Sequence, residues 1–233
     1  MNRKWLQSSS MARRSFLARL GMGASVVGAT VVSSPSARAQ VSADVPWRPA
    51  RNAQDDWLDL IPGEHRFAFD TSSAGSMGLA LHFASNYFTA NAEGYGLKDS
   101  DLAVVIIARH RSTAFAYNDP IWAKYGKQLS EQAEFTDPKT HQPPTVNLYA
   151  TARDGSARPD RIDALIKKGV HFAVCQMATH FIAGKIAQAT GAKADSIFKE
   201  LTANLVGNSH MVAAGIVAVN RAQEHGYSYV YGI

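Results

Sequence analysis

Apolar and polar positions recur with two different periods along this chain, and the changes of period mark its elements. His65-Arg-Phe-Ala-Phe-Asp70 alternates polar and apolar side chains, which predicts a first strand. A turn-rich stretch, Asp70-Thr-Ser-Ser-Ala-Gly-Ser76, follows. Its Gly75 and Gly78 make neither a Walker nor a dinucleotide fingerprint, so it reads as a structural turn. Met77, Leu81, Ala84 and Phe88 then form one helical stripe. Asp101-Leu-Ala-Val-Val-Ile-Ile-Ala108 is continuously apolar and rich in β-branched residues, as in a central parallel strand buried on both faces. A helix is predicted from about Asp119 through Tyr125, with Pro120 suited to its first turn. Phe135 to Pro159 carries Pro138, Pro143, Pro144 and Gly155 among polar residues. A loop of that length reads as a lid or an oligomer contact.

The second half repeats the strand–helix rhythm. Asp160-Arg-Ile-Asp-Ala-Leu-Ile-Lys-Lys-Gly169 predicts a short helix, with Asp160 as its cap, Ile162, Leu165 and Ile166 as its buried face and Gly169 as its stop. Val170 to Val174 is too short for a helix and reads as a buried strand ending at Cys175. Thr179 is placed as the cap of the next helix, to Thr190, whose apolar positions include Phe181, Ile182 and Ile186; another helix spans Asp195 to Leu205. His210 to Ala214 predicts a short strand, Ile216 to His225 a helix stopped by Gly226, and Tyr227 to Tyr231 a terminal strand. The sum is an α/β fold: a three-layer sandwich around a mainly parallel sheet of about five strands. Gln40 to Pro62, broken by Pro46, Pro49 and Pro62, reads as an irregular N-terminal arm or short helix anchored by Trp47, Trp57, Leu58 and Leu60. Residues 63–233 form the single domain.

The first residues read as targeting rather than fold. Arg13-Arg14-Ser15-Phe16-Leu17 is a twin-arginine pair, followed by a mildly apolar run from Leu20 to Val32 and the small-x-small site Ala37-Arg38-Ala39. That order predicts a Tat signal over residues 1–39, cleaved near Ala39-Gln40, and a periplasmic protein that meets the Tat translocase during export. The run is too short and glycine-rich for a stable membrane span. The segment carries Arg3, Lys4, Arg13, Arg14, Arg19 and Arg38 and no acid, so 18 of 24 basic residues remain against 19 acidic ones, and the net charge of +5 becomes −1. No basic face is left for nucleic acid.

Candidate chemistry centres on Cys175, the chain's one cysteine, which excludes an internal disulfide framework in an exported protein. It stands between a strand's C-terminal end and a helix N-terminus, where open α/β sheets place their sites and where the helix dipole favours a thiolate. A lone cysteine is, however, more usually a small buried hydrophobe. His110 and Arg111 follow the central strand at the same edge of the sheet. Cys175, Met177 and His180, with His171, His210 and Met211 elsewhere, are soft or borderline ligands suited to copper. On one helix, however, Cys175 and His180 would lie about 140° apart. Gly-x-Ser-x-Gly, His-Glu-x-x-His and paired-carboxylate motifs are absent.

With these elements placed, the chain resembles the DsrE-like sulfur-relay superfamily in its exported branch. The resemblance runs from about His65 to Tyr231. It rests on Ala80-Leu-His-Phe-Ala-Ser-Asn86, Val104-Val-Ile-Ile-Ala-Arg-His110, Ile166-Lys-Lys-Gly-Val-His-Phe-Ala-Val-Cys175 and Gly215-Ile-Val-Ala-Val-Asn-Arg-Ala-Gln-Glu-His-Gly-Tyr-Ser-Tyr229. It implies a flavodoxin-like sandwich that assembles as a homo-oligomer, trimer or hexamer. It also implies a persulfide carried on Cys175, with His110 at the family's histidine position. Ala108-Arg109-His110-Arg111 departs from the His-Gly often found there. Cys175 and His110 are therefore the candidate catalytic residues, and Arg111, Thr179 and His180 the candidate substrate contacts; no cofactor or metal is assigned. The expected function is a sulfur carrier that exchanges with a donor or acceptor protein. The alternatives are a non-catalytic oligomeric binding or scaffold module, or a copper-binding protein.

Overall fold

The computed structural model describes residues 48–152 and 158–231; the predicted Tat signal, its cleavage site and Trp47 lie outside them. Five strands, β1 (His65–Thr71), β2 (Leu102–Ala108), β3 (His171–Cys175), β4 (Ser209–Val212) and β5 (Ser228–Tyr231), form one all-parallel sheet in the order β4-β3-β2-β1-β5. The helices are α1 (Trp57–Leu60), α2 (Ala74–Tyr95), α3 (Asp119–Ala133), α4 (Ile162–Lys167), α5 (Gln176–Thr190), α6 (Ala194–Ala203) and α7 (Gly215–Glu224). Side chains alternate across the sheet with period two, which separates two cores. Phe69, Val104, Ile106, Phe172 and Val174 pack under α2 to α6, while Ala68, Val105, Ile107, Ala173 and Val212 pack under α1 and α7. The result is a flavodoxin-like three-layer sandwich with one thick and one thin helical layer. Every residue of β2 is buried because it has strands on both sides and helices on both faces.

The thin layer gives the N-terminal arm its purpose. Leu58 and Ile61 are buried against the sheet, and the Leu58 carbonyl accepts hydrogen bonds from Arg66 Nη1 at 2.7 Å and Tyr227 Oη at 2.8 Å. The Trp57 ring stacks on His210 with centroids 3.9 Å apart. Leu60, expected as an anchor, is 80% exposed, because a single helical turn can bury only one side. The arm's described helix is thus integral to the domain, and burial pushes Tyr227 up to about 12.

Several element ends also differ from expectation. Helix α3 continues to Ala133, past a kink at Tyr125. Helix α4 starts at Ile162 without a side-chain cap, and the Asp160 carboxylate is bound by Arg158 instead. The described part of the long loop after α3 is tied down. Asn147 Nδ2, fully buried, donates to the Phe115 and Tyr117 carbonyls at 2.8 Å each, and Tyr149 Oη donates to the Ala74 carbonyl at 2.9 Å. A methyl at Gly126 would meet the Pro144 carbonyl oxygen at 2.1 Å, so this loop lies directly on the α3 backbone. Among the described residues no helix is long and apolar enough to cross a membrane.

Candidate functional site

The chain leaving β3 runs to α5 in the thick layer, and the chain leaving β4 runs to α7 in the thin one. The C-terminal ends of β3 and β4 are therefore a topological switch point, where the two connections diverge and leave a crevice. A cleft of about 360 Å³ opens there, lined by Arg109, His110, Gln132, Cys175 and the starts of α5 and α7. Met177, Ala178 and Phe181 form one wall, and Ala214, Gly215 and Ile216 the other.

Cys175 is the last residue of β3 and the N-cap of α5, a double role that puts its side chain at the positive end of a 15-residue helix. It is a free thiol, 7% exposed, whose Sγ accepts the Ala178 N–H at 3.4 Å. The helix therefore begins four residues earlier than the Thr179 cap anticipated. Thr179 is fully buried instead: its hydroxyl donates to the Cys175 carbonyl at 3.0 Å and accepts from Tyr117 Oη at 3.0 Å. Burial raises the Tyr117 phenol well above its ordinary range, so it stays a hydrogen-bond donor. Thr179 thus braces the turn beneath Cys175 rather than facing a substrate.

Two other predicted contacts are turned away. Arg111 forms an ion pair with Glu134, and the His180 ring stacks on Phe198 with centroids 3.8 Å apart. Neither lines the cleft. His110 does line it, exposed and in the left-handed region at φ 56°, a conformation uncommon outside glycine that aims the side chain off the end of β2. The copper set is split likewise. Met177 shares the cleft with Cys175, whereas His171 and His210 face each other under Trp57, with ring nitrogens 2.9 Å apart. Among the described residues no three or more His, Cys, Asp or Glu side chains gather where they could hold a metal.

The residue that reading the sequence missed is Arg109. Its Nε and Nη2 donate to the two carboxylate oxygens of Asp70, each at 2.8 Å, a bidentate charge-assisted pair. The Asp70 side chain is fully buried and also accepts from Tyr229 Oη at 3.3 Å, and the guanidinium lies 5.3 Å from the centre of the Tyr231 ring. The hydrogen bonds that Arg109 donates to Asp70 push the arginine pKa up, so this cation is fixed and already neutralised. Gly215 lets α7 approach it: a Cβ there would lie 2.3 Å from Arg109 Cβ. The available signal was an acid near the end of β1 beside the first of three basic residues past β2, on strands paired in register through Thr71 and Ala108.

The site thus joins one sulfur nucleophile, two helix N-termini, a neutralised arginine and an apolar wall. The Cys175 sulfur meets a backbone N–H donor at the start of α5, on the wall of the cleft. No protein-family model matches the chain, and no curated protein matches it. Among solved structures it is similar to a protein of unknown function from Methanobacterium thermoautotrophicum. The identity is 15%, covering 72% of this chain and 100% of the other, with a TM-score of 0.37. At that identity and score the likeness assigns neither activity nor partner.

Proposed function

We propose that the protein is a sulfur carrier in which the Cys175 thiolate accepts a sulfane sulfur, holds it as a persulfide and passes it to an acceptor. The observation that carries this reading is the position of Cys175 on the cleft wall, with its Sγ on the Ala178 N–H at the start of α5. The same surroundings stabilise a terminal persulfide anion as well as a thiolate. With one cysteine in the chain, no internal thiol resolves the persulfide, so release goes to a partner. Carriage rather than turnover follows.

This is the role implied by the resemblance to DsrE-like sulfur-relay proteins, and export through the Tat route to the periplasm and a homo-oligomeric state belong to the same proposal. Met177, Phe181 and Ile216 are exposed around the cleft mouth, an apolar rim that also favours a second reading as a non-catalytic binding module. Intact mass of the signal-free protein after treatment with a sulfane donor, with Cys175→Ala as control, separates the two. Uptake of one sulfur, absent in the variant, is the carrier outcome. A native protein that gains none leaves the binding module.

A further inference from the structure

Resting on the carrier reading, we infer that the cleft takes its sulfur from an apolar-bodied organic persulfide, R–S–SH with an aromatic or alkyl R group, rather than from an inorganic sulfur oxyanion. Two observations converge on this class. The walls flanking Cys175 are Met177, Ala178, Phe181, Ala214 and Ile216, and Phe181, Met177 and Ile216 are 53%, 68% and 63% exposed. They form a surface that gains from covering an apolar group next to the nucleophile. The charge balance points the same way. Arg109, the one arginine or lysine in the lining, is bound through both carboxylate oxygens to the buried Asp70, and Arg111 is turned to Glu134. The N-terminus of α5 is occupied by the Cys175 sulfur itself, which leaves only the start of α7 facing the cleft. A dianion such as thiosulfate would approach a thiolate with both neighbouring arginines already paired, and the like charges repel. An organic persulfide carries at most one negative charge against the two of thiosulfate, so it is repelled less, and its R group lies on the Phe181 wall.

The transfer balances without an added oxidant or reductant. The Cys175 thiolate attacks the outer sulfur of R–S–SH, a new S–S bond forms, and the old one breaks. R–S⁻ leaves with the bonding pair, and the proton stays on the transferred sulfur, giving Cys175–S–SH. The cleft volume of about 360 Å³ holds a body of benzyl size.

The test compares loading of the native, signal-free protein by benzyl hydropersulfide and by thiosulfate. Intact mass follows each reaction, and each rate is divided by that of free cysteine with the same donor to remove intrinsic reactivity. The inference predicts a normalised preference for the benzyl donor of about tenfold or more, the factor that one modest apolar contact supplies. It also predicts that Phe181→Ala shrinks this preference several-fold. Equal normalised rates, or faster loading by thiosulfate, overturn the inference and leave the carrier reading standing. If neither donor loads the native protein while both load it in urea, the carrier reading fails and the inference with it.

Discussion

Gly215→Ala tests whether the cleft is built on close contact between α7 and Arg109. A methyl at this position would lie 2.3 Å from Arg109 Cβ, 3.0 Å from Cδ and 3.1 Å from Cγ. Carbon atoms pack at about 3.5–4.0 Å, so α7 must retreat by about 1 Å or more. Arg109 cannot yield easily. Its Cβ is one bond from the backbone, and its guanidinium is fixed on Asp70. Overpacking of this kind costs about 1–3 kcal/mol. Helix propensity acts the other way, since alanine is favoured over glycine inside a helix by about 0.5–1 kcal/mol. The net expectation is a loss of about 1–2 kcal/mol, the reverse of the sign that propensity alone would give. Urea denaturation followed by circular dichroism measures it, with an unchanged slope showing that stability rather than the denatured state has moved. Sulfur loading of Cys175 should slow as well, because Ala214, Gly215 and Ile216 form one cleft wall. A variant as stable as the parent, or more stable, would refute the packing account of this wall.

Two other predictions concern the polar groups around the sheet. Asp70→Asn keeps the shape of a fully buried side chain but removes the charge that two Arg109 N–H groups and Tyr229 Oη address; the expected cost is about 2–3 kcal/mol, discounted because Arg109 is partly exposed, and an unchanged urea midpoint would contradict it. The His171–His210 pair under Trp57 should make the fold acid-sensitive. Burial, and then the neighbouring His171, push His210 down to about 4, and burial also lowers His171. Between the ordinary histidine value of about 6.5 and about 4 the unfolded chain binds more protons, so this stability is complete above pH about 6.5 and is lost as the pH falls towards 4. For a half-buried pair screened by solvent the loss is about 1–2 kcal/mol. Urea midpoints at pH 7.5 and 4.5 measure it; His210→Phe should flatten the difference, and a parent protein with equal midpoints would exclude the effect.

The alternation of strands and helices was legible because each strand is a short apolar run and each helix has a stripe. Leu102–Ala108 reads as a doubly buried strand, and it is one. Cys175 was legible as a strand-end residue for the same reason, since Val170 to Val174 cannot be anything else. Cap identity was less so. Thr179 has the better capping side chain by type, yet the strand ends where its hydrogen-bond register with β4 ends, at Cys175 paired with Val212, and the helix starts there. The cleft's second wall was hidden because α7 is far along the chain from Cys175 and meets it only through the crossover from β4. Arg109 was hidden behind its neighbours: three basic residues follow β2, and only the backbone turn at His110 decides that Arg109 goes to Asp70 and Arg111 to Glu134. The His180 contact with Phe198 likewise depends on α6 packing against α5, which no local pattern encodes.

Native sulfur loading of Cys175 tests the central claim most directly. The signal-free protein is treated with an organic persulfide in buffer and in urea, and intact mass is recorded against Cys175→Ala. The carrier account predicts one added sulfur on the native protein, none on the variant, and loading in buffer at least as fast as in urea. A native thiol that stays unmodified while the urea-unfolded chain takes up sulfur would contradict it, and Cys175 would then be a buried cap of α5 and nothing more.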